Sequence, residues 1–204
     1  MMTTKRFART RSARHRERGF SLIEVMIAAA ILVIGLVSML AVFGVCVAAT
    51  QDAQADMIAK QEATAAIESI FTARNTAQIN FNPQINNVSN AGIFLDGPQQ
   101  LLSPGPDGLV GTADDTPDPN AACPGPAKCL VMPGPDGIAG TADDVVLPLN
   151  NFSRTILIQP VALPGNQGNN PNLKQITVTV SYRTLNLRNV NKNYVMSAFI
   201  SSYR

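Results

Sequence analysis

The hydrophobic pattern changes three times along the chain. Residues 25–49 carry no charge, and Ser38 is the only hydroxyl among them. A helix of these 25 residues measures about 37 Å, enough to cross a hydrocarbon core of about 30 Å. A secretory signal would have a shorter apolar region followed by a small-residue cleavage site, so this run reads as a true membrane span. Polar residues return at Thr50, while Ala59, Ala63, Ala66, Ile67, Ile70 and Phe71 recur at spacings of three and four. That period predicts one apolar face of a helix, with Asp52, Asp56, Lys60, Glu62, Glu68 and Arg74 mostly elsewhere. A single helix over residues 20–74 would be about 80 Å long. Its first half is apolar all round; its second half carries a small β domain on one face.

Residues 75–98 are polar and rich in Asn, Gly and Pro, which predicts loop with one short strand near 91–95. Three later runs read as strands. Residues 154–163 are rich in Ile, Leu and Val, and Pro160 marks an edge or a break. In residues 175–183, Ile176, Val178, Val180 and Tyr182 alternate with Thr177, Thr179, Ser181 and Arg183. In residues 194–203, Val195, Phe199 and Ser201 share one face and Met196, Ala198 and Ile200 the other. The connecting segments 164–172 and 185–193 suit antiparallel turns. The expected fold class is α+β: a long N-terminal helix whose second half packs against a C-terminal antiparallel sheet of three or four strands.

Composition bounds the class. With 15% charged and 46% hydrophobic residues the chain is not a highly charged disordered one, and three cysteines do not make a dense disulfide scaffold. The net charge of +2 hides an asymmetry. Lys5, Arg6, Arg9, Arg11, Arg14, Arg16 and Arg18 crowd the first 19 residues against a single acid, Glu17, which leaves residues 20–204 at −4. The basic arm should stay cytoplasmic, which puts the body across the membrane. No nucleic-acid partner is expected of an acidic body, although Lys174, Arg183, Arg188 and Lys192 supply it with local positive charge.

Glu24 stands at the mouth of the apolar run, where a carboxylate is expensive without a partner or a route to the interface. Its context is Arg18-Gly19-Phe20-Ser21-Leu22-Ile23-Glu24-Val25. This string resembles the cleavage and methylation signal of type IV prepilins. The resemblance implies a prepilin peptidase as partner, cutting between Gly19 and Phe20 and N-methylating Phe20. It implies that Glu24 acts in assembly, by meeting the Phe20 amine of a neighbouring subunit inside an apolar filament core. A buried carboxylate is tolerable when so paired, and the pair would serve as a register device. The run over residues 25–36 is most similar to PilV-like minor pilins (the type IV pilus modification protein class) and to type II secretion pseudopilins. Many major pilins carry a proline near the middle of the span; Ala41 stands there in this chain, and residues 20–81 contain none. The implied organisation is a leader at 1–19, a transmembrane or filament-core half-helix at 20–49, an amphipathic half-helix at 50–75 and an exported β domain at 76–204.

Within that domain an eleven-residue segment occurs twice, 29 residues apart. Residues 105–115 read GPDGLVGTADD and residues 134–144 read GPDGIAGTADD, identical at nine positions. Each copy places an aspartate, a glycine-punctuated turn and an Asp-Asp pair in succession, a composition that suits calcium. The spacing is not that of an EF-hand. It is similar to the calcium loop of the major type II pseudopilin, which implies Asp107, Asp114 and Asp115 as ligands in one loop and Asp136, Asp143 and Asp144 in the other. Thr112 and Thr141 are lesser candidates. Each copy is also a good Pro-Asp-Gly turn with solvated aspartates, and a duplicated turn would look the same. Between the copies lie Cys123 and Cys129. In an oxidising compartment they can form a disulfide; free thiols are the alternative, and zinc would need further ligands. The only histidine, His15, is in the basic arm, and Cys46 fills the span as a small apolar residue.

No enzyme is expected: residues 20–204 contain no histidine, no phosphate-cradling glycine loop and no Cys/His or Ser/His pair. The leading expectation is a structural minor pilin of a type IV pilus. It would start as a single-pass inner-membrane protein with a cytoplasmic N-terminus, contacting the membrane, the inner-membrane assembly platform and other pilin subunits. It would then enter a pilus or a periplasmic pseudopilus. No cofactor is required; calcium in the loops is the one candidate. The alternatives are a type II secretion pseudopilin, or a tethered calcium-binding or adhesive module that never polymerises.

Overall fold

A computed structural model describes residues 19–184 and 190–203. The leader therefore lies outside the described residues except for Gly19, as do Arg188 and most of the expected connection at 185–193. The chain divides into two compact units, Met1–Cys46 and Val47–Arg204. One helix, α1 (Leu22–Asn75), contributes to both.

In the first unit every side chain of residues 20–46 is exposed. This part of α1 is long and apolar enough to cross a membrane. Its backbone bonds internally, and the Ser38 hydroxyl donates to the Ile34 carbonyl at 2.8 Å, so among residues 25–46 that hydroxyl is not left for lipid to solvate.

In the second unit α1 buries Ile58, Ala59, Glu62, Ala63, Ala66, Ile67, Ile70 and Ala73, which share one face at helical spacing. The alanines let the sheet approach the helix closely. That sheet has four antiparallel strands in the order β1 (Gln99–Gln100), β4 (Phe152–Ala162), β5 (Asn169–Arg183) and β6 (Asn191–Ser201). Ile156 and Ile158 on β4, Ile176, Val178, Val180 and Tyr182 on β5 and Ile200 on β6 meet the helix in one core. The predicted alternation of β5 holds residue for residue. On β6 the even-numbered residues turn inward and Val195 and Phe199 outward.

Two expectations need correction. Residues 91–95 form no strand: Phe94 makes only an isolated bridge to Asn87, and the edge strand is β1, a few residues later. Glu62, expected on the polar side of α1, is only 5% exposed. A second sheet was not foreseen. β2 (Cys129–Met132) and β3 (Val145–Pro148) form an antiparallel hairpin, and the second copy of the repeat is its connection. Leu130 and Leu147 tie that hairpin to a small cluster of Ile58, Leu101 and Leu149.

The outer edge of β4 is closed by several devices. Gln99 and Gln100 pair with Arg154 and Ser153. Further along, the buried Asn87 side chain acts as a fragment of strand: its Nδ2 donates to the Ile156 carbonyl at 2.7 Å and its Oδ1 accepts from the Ile158 N–H at 2.8 Å. Beyond that, Pro160 has no N–H to offer.

Candidate functional site

Gly19, Phe20 and Ser21 run directly into the first turn of α1. Open space surrounds the position a Gly19 Cβ would take, and Phe20 is 80% exposed, so the peptide between them is accessible. The Ser21 hydroxyl accepts the Glu24 N–H at 3.2 Å, capping the helix. Ser21 and Glu24 thus stand in the order of a capping box, a helix-start signal legible in the sequence itself. Glu24 is exposed, and a carboxylate in the first turn is favoured by the helix dipole.

The two repeats fold alike. In the first, Asp107 Oδ1 accepts the Leu109 N–H (2.8 Å), Asp114 Oδ2 the Asp107 N–H (3.3 Å) and Asp115 Oδ2 the Gly111 N–H (2.7 Å), while the Thr112 hydroxyl donates to Asp114 Oδ1 (2.7 Å). In the second, Asp136, Asp143 and Asp144 accept from Ile138, Asp136 and Gly140 at 2.8, 3.3 and 2.6 Å, and Thr141 donates to Asp143 at 2.6 Å. Gly105 and Gly134 admit no side chain: a Cβ would lie 2.2 Å from the Asp114 carbonyl oxygen and 2.3 Å from that of Asp143. The hydroxyls of Thr112 and Thr141 hold the Asp114 and Asp143 carboxyls below their ordinary range.

What differs is the setting. The first loop is built into the body. Leu109 is 1% exposed in the main core, and burying such a side chain contributes about 1.5–3 kcal/mol. Gln78 donates to the Asp107 carbonyl, and the Gly111 carbonyl accepts the Leu95 N–H. Arg154, 2% exposed, brings its guanidinium to 3.9 Å from Asp115 and 3.8 Å from Glu62. Burial nevertheless raises the Asp115 carboxyl above its ordinary value, against the Gly111 N–H and the Arg154 charge. The second loop has none of this. Ile138, the counterpart of Leu109, is 61% exposed. Among the described residues no basic nitrogen lies within 4.0 Å of Asp136, Asp143 or Asp144.

This bears on calcium. In the first loop a buried guanidinium, 3.9 Å from Asp115 and shared with Glu62, competes with any divalent cation for that carboxylate. The second keeps three uncompensated carboxylates, though their oxygens are engaged by the loop's own donors. Among the described residues one trio of possible ligand atoms lies within 4.8 Å: Asp118, Cys123 and Cys129. It is no metal site, because the two sulfurs are joined in a disulfide with the Cα atoms 5.8 Å apart. Asp118 instead fastens this small loop by accepting the Cys129 and Asn120 N–H groups at 2.7 and 2.8 Å, which hold its carboxyl below the ordinary range. Next to it Lys128 Nζ meets Glu62 at 2.7 Å, tying the disulfide loop to α1.

Two more groups escaped sequence reasoning. Lys174 is buried, and its ammonium donates to the Phe81 and Ile85 carbonyls and to Asn82 Oδ1 at 2.9, 2.8 and 2.6 Å, clamping the segment after α1 to β5. Tyr182 donates to Asp56, and burial with that carboxylate pushes its hydroxyl well above the usual tyrosine value. Lysine and tyrosine in strands give no warning of such roles, because the partners are 92 and 126 residues away.

Residues 14–40 match the family described as the prokaryotic N-terminal methylation motif. The match takes in Gly19, Phe20 and Glu24 and the first part of the apolar run, and it supports the likeness to pilin-type proteins over that segment. No curated protein and no solved structure matches the chain.

Proposed function

We propose that this protein is a minor structural subunit of a type IV pilus, cut by a prepilin peptidase between Gly19 and Phe20 and assembled through α1. The observation that carries the reading is the methylation motif on an exposed apolar helix whose continuation supports a separately folded body. Gly19 gives a peptidase access to the backbone without a side chain in the way. Cleavage removes the basic arm and leaves a cationic amine on Phe20, four residues from Glu24. Moving the helix from lipid into a core of like helices changes little water-exposed apolar area, so packing and the Phe20–Glu24 pair between neighbours would set the register. The helix runs from Leu22 to Asn75 without a proline, in keeping with a minor rather than a major subunit. Calcium belongs to this reading only as a proposal for Asp136, Asp143 and Asp144.

The test is the intact mass of the protein from hosts with and without a prepilin peptidase. Loss of residues 1–19 and gain of one methyl group, only with the peptidase present, is expected. An unprocessed mass beside an active peptidase would refute the reading and leave the tethered module.

A further inference from the structure

The two edges of the main sheet differ. The β4 edge is closed, whereas among the described residues no strand pairs with the far side of β6. Edge strands are ordinarily blunted by charge, proline or a bulge. Residues 193–201 of β6 contain no charge, proline or glycine, and their ladder to β5 is unbroken. The cover over this edge is incomplete as well. On the helix side Tyr194, Met196 and Ala198 stay half-buried, although their partners on β5, Val180, Val178 and Ile176, are fully buried. An open trough of about 960 Å³ lies there between α1 and β6, lined by Met57, Lys60, Thr64, Ala65, Glu68 and Tyr194 among others. Its two walls run side by side in one direction. Lys192 lies 3.8 Å from Asp56, the Thr64 hydroxyl 3.8 Å from the Met196 sulfur, and Arg74 donates to the Ser201 carbonyl at 2.7 Å.

We infer that the β6 edge receives an extended segment of a different protein as a fifth strand, laid along this trough. Main-chain bonds to β6 supply the attraction, and alternate side chains entering the trough supply the selectivity. The charges of the trough define that segment. Lys60 and Glu68 both line it, and among the described residues neither has an opposite charge within 4.0 Å. They stand about 12 Å apart along α1, a distance that a strand covers in about four residues. Residues at that spacing share one strand face. The inward face of the segment therefore carries an acid for Lys60, an apolar residue midway beside Thr64 and Ala65, and a base for Glu68. In this chain only Asp56 and Lys60 are side chains of opposite charge four residues apart, and both belong to α1. Antiparallel pairing of β6 with β6 of a second copy would point the two α1 helices in opposite directions, which a shared membrane does not allow. The acidic second loop of another copy answers Lys60, but it sets like charge against Glu68 and leaves the edge unpaired. The inference does not rest on processing at Gly19: the mass experiment could fail and the edge would still take a strand.

The test titrates the full chain in detergent with two synthetic peptides, Thr-Lys-Thr-Val-Thr-Glu-Thr and its reverse, Thr-Glu-Thr-Val-Thr-Lys-Thr. One order should bind with a dissociation constant below about 1 mM and slow amide exchange along β6. N-methylating alternate amides of that peptide should abolish binding in one set and leave it in the other, the signature of a strand bonded along one edge. Lys60→Glu with Glu68→Lys should weaken binding about tenfold and transfer the preference to the reversed peptide. Lys60 and Glu68 are exposed, so an unchanged melting temperature shows that the fold is kept. Four outcomes would overturn the inference: binding of neither peptide, equal tolerance of both N-methylated sets, indifference to the charge exchange, or self-association of the full chain that protects β6 without peptide. The last would assign the trough to a second copy.

Discussion

Replacing Arg154 by methionine tests the charge balance at the centre of the body. Methionine keeps most of the side chain's volume and its apolar contacts but removes the guanidinium. Asp115 and Glu62 are then left in the core, with side chains 6% and 7% exposed. Removing one partner of a buried ionic group typically costs about 3–5 kcal/mol. Here the loss is smaller. The contacts are 3.9 and 3.8 Å long, and Nε and Nη2 of Arg154 have no hydrogen-bond partner. Glu62 also keeps Lys128, and Asp115 keeps the Gly111 N–H. A loss of about 2–3 kcal/mol at neutral pH is expected, lowering the melting temperature of the full chain in detergent, followed by β-sheet circular dichroism, by about 4–12 °C. The pH dependence gives the sharper check. The folded Asp115 carboxyl is raised above 3.8, so the folded state binds its proton more tightly than the unfolded one. That penalty is absent below 3.8 and grows as pH rises through the folded value. Without Arg154 the folded value rises further, so the variant's deficit should be largest at neutral pH and shrink on acidification. Asp115→Asn in the Arg154→Met background should recover much of it. A variant as stable as the parent at pH 7, or a deficit equal at acid and neutral pH and untouched by Asp115→Asn, would refute the reasoning.

Other substitutions separate the remaining features. Lys174→Met removes three hydrogen bonds and leaves the carbonyls of Phe81 and Ile85 without that donor; a loss of about 2–4 kcal/mol should appear in the same melts, with early protease cleavage of residues 79–87. Reducing the Cys123–Cys129 disulfide should destabilise the body by about 2 kcal/mol, the chain-entropy value for so short a loop, read by melting with and without reductant. Gly105→Ala and Gly134→Ala create the same local clash in loops of different setting. Gly105→Ala should lower the global melting temperature, whereas Gly134→Ala should raise hydrogen exchange only around residues 133–144. Asn87→Ala frees the Ile156 carbonyl and the Ile158 N–H, costing about 1–3 kcal/mol and speeding amide exchange at Ile158.

The legible part of the fold is the part with long, strict periods. Ala59, Ala63, Ala66 and Ile70 mark the helix face, and Ile176 through Tyr182 mark the sheet face, because burial on one side repeats over many residues. β2 and β3 are four residues each, too short for a period to register, and their pairing depends on the loop between them. Glu62 was misplaced because its charge argues for solvent, whereas its partners Lys128 and Arg154 are distant in sequence. The repeat was plain, and so were its aspartates. Its two unlike settings were not, since nine identical positions carry no information about where each copy lands. The processing signal is the reverse case: five or six adjacent residues state it in full, and distant contacts add nothing.

The closed edge of β4 has a consequence for how copies of this protein can meet. Gln99, Gln100, Asn87 and Pro160 shut one side of the sheet, and among the described residues no strand pairs with the far side of β6. A sheet with two open sides can add neighbours without end, as fibrils do. One with a single open side can join only one partner before its bonding capacity is used up. The four-stranded sheet is thus a terminator for strand-by-strand growth, and a long polymer cannot be propagated through it alone.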